Sequence, residues 1–230
     1  MAVRPAILIH GPTASGKTKL AITLAKRLDG EIVNADAMQV YADLDVLTAR
    51  PDADETAAAP HHLFGHVDAG ARYSAGAWAK EAGARIRSLM AADKTPIVVG
   101  GTGLYLMALT EGLSEIPAIP DAARIEARAK VAADVAGAFA ELVAKDPPAK
   151  DRIEPGDRQR IARALEVLIA TGRPMSSFHG EAAPVLKAGE WAGVTLTPPR
   201  ETLYERINTR VEKMMKLGAL EEARRLWERK

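Results

Sequence analysis

Residues Gly11-Pro12-Thr13-Ala14-Ser15-Gly16-Lys17-Thr18 place two glycines, a lysine and a hydroxyl at the spacing G-x-x-x-x-G-K-[ST]. That combination is suited to holding phosphate. The glycines let the chain turn so that successive N–H groups point inward as an anion-binding nest. Lys17 adds a full positive charge, and the Thr18 hydroxyl can ligate Mg²⁺. A helix starting near Lys17 would add the positive end of its dipole. The loop leaves its ligand open: a nucleoside triphosphate to be split, or another diphosphate whose non-phosphate half is transferred.

Two further groups bear on that choice. Members of this loop class that split ATP usually carry an Asp at the end of the strand beside the loop, to hold Mg²⁺ through water. Here the apolar run Ile97 to Val99 ends in Gly100-Gly101-Thr102 instead. These residues read either as a tight strand-to-helix turn or as a close approach to a ligand, with the Thr102 hydroxyl donating to a phosphate oxygen. Asp36 closes the stretch Glu31–Asp36 on the same sheet edge as the loop. Its carboxylate can take a proton from an attacking acceptor, or it can cap a helix ahead of Ala37-Met38-Gln39. Gln39 can hydrogen-bond a base edge, while Met38 is equally suited to the core.

The elements that position these groups follow from periodicity. Ala6–Ile9 reads as a buried strand before the loop, and Leu20, Leu24 and Leu28 recur at helical spacing until Asp29-Gly30 stops the helix. A second strand covers 31–36 and residues 47–73 read as loop. A helix is expected from Ala75 to Met90, with Trp78, Ala82, Ile86 and Leu89 on one face, then a third strand at 96–101 and a helix capped by Thr102 running to Gly112. Strand alternating with helix indicates an α/β fold with a parallel sheet and ligands at the strands' carboxyl ends. After a linker, one charged helix is expected over Asp121–Lys145, and Asp157 caps another that ends at Thr171-Gly172. Strand signal returns at Trp191–Thr197, and helix from Glu201 onward. The expected architecture is a P-loop NTPase-like parallel sheet flanked by helices. Its α/β catalytic core comprises 1–112 and 189–230, and a helical insertion spans 113–188.

Composition narrows the function classes. The 230 residues include 31 basic and 30 acidic side chains, so no global field draws in a nucleic acid and any basic surface must be local. The absence of cysteine excludes disulfides, thiol catalysis and thiolate metal sites, and fits a reducing cytosol. No leader and no apolar run near the length of a membrane span is evident, so a cytoplasmic protein that engages no membrane is expected. His61 and His62 are adjacent and would point apart, so they read as loop packing rather than a metal pair.

Several segments together resemble one family, the tRNA dimethylallyltransferases (tRNA isopentenyltransferases). They are GPTASGKT (11–18), IVNADAMQVY (32–41), the His61-His62-Leu63 turn, PIVVGGTGLYL (96–106), DRQRIARALEV (157–167) and ERINTRVEKMMKLG (205–218). The loop alone is unspecific, and an ATP-binding label would follow from that motif by itself. Its combination with GGTGLY and DRQRIARALEV is highly specific. The resemblance implies transfer of a dimethylallyl group from dimethylallyl diphosphate to the exocyclic amine of the adenosine 3′ of the anticodon (position 37), in tRNAs reading codons that begin with U. Asp36 would be the base. Thr102 and Arg210 would stabilise the departing diphosphate, with Arg206 a nearby substitute for Arg210, and Thr18 and the diphosphate would hold Mg²⁺. Contacts to the tRNA anticodon stem-loop would come from Asp36, Ala37, Met38, Gln39, Thr102 and Arg124, and from Gln159, Arg160, Ile161, Ala162 and Arg163. The last five lie on a helix whose charged face reads, on its own, as solvated surface. A monomer is expected, apparently lacking the family's C-terminal segment. The competing readings are a P-loop small-molecule kinase using ATP and a catalytically impaired tRNA-binding fragment.

Overall fold

The structure, a computed structural model, describes residues 4–178, 180 and 182–229. Strand β1 (Ala6–His10) leads through the glycine loop into helix α1 (Lys17–Leu28), which lays Ala21 and Ala25 against the sheet. Small side chains there let the helix approach closely enough to enclose Ile9, Ile32 and Ile97. Burying such a side chain stabilises the fold by roughly 1.5–3 kcal/mol. The left-handed residue that ends α1 is Asp29 itself (φ 49°), whose N–H donates to Ala25 O. Strand β2 (Gly30–Asn34) starts at the next residue and ends before Asp36, so Asp36 sits in the loop beyond the strand rather than at its last position.

The expected loop over 47–73 holds two short elements. Helix α2 (Ala53–Ala58) is closed by a capping box in which Asp52 accepts from Glu55 N and Glu55 accepts from Asp52 N. It buries no residue, so it leaves no hydrophobic period in the sequence. Strand β3 (His61–His62) pairs with β2. Helix α3 (Ala75–Ala91), capped by Ser74, buries Trp78, Ala82, Ile86 and Leu89 as its spacing predicts. Strand β4 (Thr95–Gly100) is buried along its whole length, and helix α4 (Gly103–Thr110) follows it.

Residues Leu113–Ala183 form a separate compact unit, and Met1–Gly112 with Pro184–Lys230 form the other. The helical unit contains α5 (Asp121–Ala133), α6 (Val135–Lys145), α7 (Ala149–Arg152) and α8 (Arg158–Thr171), then a 3₁₀ turn at Met175–Phe178. The single helix expected over Asp121–Lys145 is therefore two. Asp134 breaks it in an extended conformation (φ −151°), and its carboxylate accepts from Gly137 N at 3.0 Å to start α6. Ala127, Ala138 and Ala164 let the helices close around Leu142, Ile161 and Leu165. The chain rejoins the first unit before residue 188: Leu186, almost fully buried, donates its N–H to Leu109 O at 2.8 Å.

Strand β5 (Trp191–Thr195) then joins the sheet, and helices α9 (Arg200–Lys216) and α10 (Ala219–Glu228) follow. The five strands run in the order β3-β2-β4-β1-β5, every pair parallel. Ile9 of β1 lies opposite Val99 of β4 on one side and Val194 of β5 on the other. The glycine loop and the segments after β2 and β4 all leave from carboxyl ends of neighbouring strands, the edge where α/β folds bind ligands. Helix α10 is pinned to the loop after Gln39. The buried Glu222 carboxylate accepts from the N–H groups of Asp45, Val46 and Leu47, and Arg229 pairs with Asp43 and Asp68. Among the described residues no helix is long and apolar enough to cross a membrane.

Candidate active site

The glycine loop is built to present N–H groups. Gly16 sits at φ 95°, where an L side chain is strained, and its neighbour Ala14 takes φ 63° within the same turn. Ser15 is buried, and its Oγ has no hydrogen-bond partner among the described residues. Pro12 and Thr13 are exposed on the loop's outer side. Lys17 folds back over the loop and donates from Nζ to Gly11 O and Pro12 O, both at 2.7 Å. Its pKa is lowered, chiefly because burial disfavours the ammonium and also because Arg210 is near; Asp36 opposes the shift. Loop, base candidate and arginine therefore share one electrostatic environment.

Helix α9 supplies two arginines to this region, at an i, i+4 spacing that puts them on one face. Arg206 donates from Nη1 to Ala14 O at 3.3 Å, and Arg210 lies close enough to depress Lys17. Both sequence candidates on this helix thus face the loop. The direct backbone contact belongs to Arg206, which the sequence offered only as a substitute.

The segment carrying Asp36 is held from several sides. Asn34, fully buried, accepts the Asp36 N–H on Oδ1 at 2.8 Å and donates from Nδ2 to Asp36 O and Leu63 O, each at 3.0 Å. Trp78 donates from Nε1 to Asn34 O at 2.8 Å, and its ring stacks on Tyr105 at 4.1 Å. Burial, the larger cause, and the nearby Tyr41 and Asp36 push the Tyr105 phenol up to about 12. Across the sheet, Ala35 N donates to Val99 O at 2.8 Å, and Gly100 passes so close that an added Cβ would lie 2.0 Å from Ala35 O. The Asp36 carboxylate accepts from Met38 N at 2.9 Å through Oδ1, a local turn rather than a helix cap. Thr102 occupies the N-cap position of α4, but its Oγ1 accepts from Ala37 N at 2.9 Å instead of capping that helix. Its O–H proton therefore remains to donate. Sequence reasoning gave Asn34 no role; a buried amide ending the apolar run of β2 was the available signal.

Other candidates fall out differently. Both Gln39 amide protons are committed, to Thr48 O at 2.9 Å and Ala49 O at 3.0 Å, so only its carbonyl oxygen can meet a base edge. Met38 is exposed rather than core. His61 binds Ala59 O and packs edge-on to Phe64, with its pKa lowered mainly by burial; His62 pairs with Glu31 at 2.6 Å. No cluster of three or more His, Cys, Asp or Glu suited to a metal occurs among the described residues. A cation at the loop would have Thr18, half-buried at the start of α1, and the oxygens of a bound diphosphate. That donor set fits Mg²⁺, which commonly keeps waters and takes phosphate oxygens alongside one or two protein ligands.

The helical unit carries the remaining candidates. Arg124 donates from Nε to Ile119 O at 3.2 Å. On α8, Arg160 pairs with Asp157 at 3.4 Å and Arg163 with Glu166 at 3.2 Å, while Gln159 is exposed. Ile161 and Ala162 do not share that surface. Ile161 is fully enclosed by the unit's core and Ala162 is buried beside it, so these two side chains hold the helix in place rather than offer a contact.

Comparison with known proteins gives a consistent result. The IPP transferase family profile matches residues 39–230, and an isopentenyl transferase profile matches residues 4–62. A tRNA dimethylallyltransferase of Hyphomonas neptunium is 54% identical over 226 residues, covering 97% of this chain and 72% of the relative. One from Maricaulis maris is 49% identical, covering 95% and 71%. Among solved structures, a eukaryotic dimethylallyltransferase acting on tRNA superposes with a TM-score of 0.82 at 31% identity, covering 98% of this chain and 56% of that one. The tRNA isopentenylpyrophosphate transferase of Bacillus halodurans matches at a TM-score of 0.62 and 34% identity, covering 98% and 71%. The chain is thus shorter than these relatives, and by profile, sequence and fold it belongs to the IPP transferase family, that of the tRNA dimethylallyltransferases.

Proposed function

We propose that this chain transfers the dimethylallyl group of dimethylallyl diphosphate to the N6 amine of the adenosine 3′ of the anticodon, in tRNAs reading codons that begin with U. It would act as a cytoplasmic monomer. The observation that carries the reading is that Lys17 lies within electrostatic reach of Asp36 and Arg210 at a phosphate loop whose neighbouring strand β4 ends at Gly100 and runs on into Gly101-Thr102 rather than into a carboxylate. The loop N–H groups, Lys17, Arg206 and Arg210 bind the diphosphate, and the Thr102 hydroxyl donates to one of its oxygens. Bound Mg²⁺, held by Thr18 and the diphosphate, would supply charge neutralisation for the leaving group.

The N6 nitrogen forms a bond to C1 of the dimethylallyl group as the C1–O bond breaks, and diphosphate departs with that electron pair. Charge growing on the diphosphate is met by donors already in place, which is where preorganised electrostatics act most strongly. The Asp36 carboxylate accepts the proton that N6 loses. The amine lone pair is delocalised into the purine, so holding the base in line contributes at least as much as basicity. That places weight on Asn34, which fixes the Asp36 backbone by two hydrogen bonds and ties it to Leu63 O by a third. The adenine must leave the loop stack to be reached. Arg160 and Arg163 of the helical unit engage RNA phosphates, with Gln159 and Arg124 adding polar contacts. Incubating the chain with dimethylallyl diphosphate, Mg²⁺ and an anticodon stem-loop, then weighing the RNA, tests the reading. The expected product carries one added prenyl group per stem-loop, with pyrophosphate released and no ATP required. An unchanged RNA mass would overturn it.

A further inference from the structure

The helical unit contains a cavity of about 590 Å³ between α7, the first turns of α8 and the 3₁₀ turn at Met175. That is within the range of about 300–1,000 Å³ usual for ligand pockets. Its apolar wall comes from Ile153, Ala164 and Met175, and its charged side from Arg160 and Arg163. Their ion pairs to Asp157 and Glu166 join neighbouring turns of one helix. Arg160 is 69% exposed, so its pair holds it only weakly against a competing anion, whereas Arg163, 40% exposed, is paired to the buried Glu166 and is held more firmly.

The back of the cavity is different. Asp146 is 2% exposed, and Oδ2 accepts from Ser176 N at 3.1 Å. Its Oδ1 is buried with no hydrogen-bond partner among the described residues. A carboxylate oxygen without a donor is costly in such a place, and Asp146 lines the cavity, so a small rotation of its carboxylate presents that oxygen to a donor there.

A lone phosphate does not suit this lining, because Asp146 and Asp157 both repel it. A planar ring with an N–H edge does: the apolar wall takes its face, Asp146 takes its donor, and the arginines take the flanking phosphates. We propose that this cavity receives one extruded nucleobase of the RNA loop, bearing an amino or imino N–H edge. All its lining residues belong to Leu113–Ala183, whereas Asp36 belongs to the other unit, and the base meant is one other than the adenosine presented for prenylation. The proposal rests on the reading of α8 as an RNA contact.

The test uses the full chain and a set of anticodon stem-loops with a single abasic residue at each loop position in turn, which keeps every phosphate. Affinities are measured by anisotropy for wild type, Ile153→Trp and Asp146→Asn. Ile153→Trp fills the cavity from a partly exposed site, and Asp146→Asn changes its hydrogen bonding without changing its volume. One abasic position other than the modified adenosine should weaken wild-type binding about tenfold or more, the low end of what a stacked base contributes. The same position should cost less than about twofold in Ile153→Trp, and Asp146→Asn should weaken the intact stem-loop but not that abasic one. Thermal melts accompany each variant, and if Ile153→Trp does not fold, Asp146→Asn decides the matter. Abasic costs identical in all three proteins would overturn the cavity proposal. In that event Arg160→Ala separates the two readings. Loss of affinity with a flatter salt dependence leaves the helix as an RNA contact, whereas no change in either removes that reading as well.

Discussion

Asp36 has its backbone fixed by Asn34 and its carboxylate turned onto Met38 N, so its chemistry can be removed without disturbing the turn. Asp36→Asn keeps an oxygen for Met38 N and loses only the proton acceptor. Turnover should fall about 10²–10⁴-fold, the usual cost of removing a general base, while pyrophosphate affinity holds or rises. Near wild-type turnover in a single-round assay would take Asp36 out of proton transfer. Lys17 gives a prediction in pH. Burial lowers its pKa from 10.5, so between that lowered value and 10.5 the unfolded chain holds the proton more often than the folded one. Stability of the ligand-free protein therefore rises with pH across this window, and the contribution is absent below it. A bound diphosphate raises the Lys17 pKa again, so binding takes up a proton on this alkaline limb and its affinity falls there as pH rises. Calorimetry in buffers of different ionisation enthalpy should show proton uptake that Lys17→Met lacks. Equal uptake in both proteins would mean that Lys17 does not meet the ligand.

At the scale of elements, the crossing of β4 over the segment after β2 sets where Asp36 lies. A methyl group at Gly100 would meet Ala35 O at 2.0 Å and Ala35 C at 2.1 Å, backbone atoms that cannot turn aside. Gly100→Ala should cost about 3 kcal/mol in chemical denaturation, at the upper end for overpacking, and should depress turnover by displacing Asn34–Ala37. Gly101→Ala meets nothing nearer than Gly11 O at 3.8 Å and should leave stability within about 0.5 kcal/mol. Equal losses at the two positions would show that the close approach is not the cause. This contrast also marks how far sequence reading reaches. Strand, loop and helix around Lys17 were legible because the motif and its flanking apolar runs are local. Helix α2 escaped because none of its six residues is buried and they leave no period, although its Asp52-x-x-Glu55 box was readable. The break at Asp134 escaped because alanine-rich sequence on both sides favours helix, and only the cap decides. The Asn34 clasp and the Arg206 contact join residues distant in the chain, and single-sequence patterns carry no record of such pairs.

For the molecule as a whole, 31 basic against 30 acidic side chains leave almost no net field to attract a polyanion. RNA affinity must then come from a few placed cations, and removing one should register as a discrete change in salt dependence. Arg160 is the cleaner test, because its partner Asp157 already caps α8 by accepting Arg160 N at 2.9 Å and keeps that role after truncation. Arg160→Ala should weaken stem-loop binding and reduce the slope of log K against log salt by about 0.7–0.9, the effect of leaving one phosphate without its cation. Its melting temperature should not move. Arg163 differs, since its partner Glu166 is buried and, among the described residues, is otherwise met only by Arg128 at 3.7 Å. Arg163→Ala leaves that carboxylate poorly paired and should cost about 1–3 kcal/mol of stability in addition to weakening RNA binding. On the proposed function the loop of the other unit holds pyrophosphate, so affinity for it should be the same in both variants as in wild type. A slope and affinity unchanged in Arg160→Ala, at an unchanged melting temperature, would return α8 to a solvated surface and shift the RNA contact onto Arg124 and the residues around Asp36.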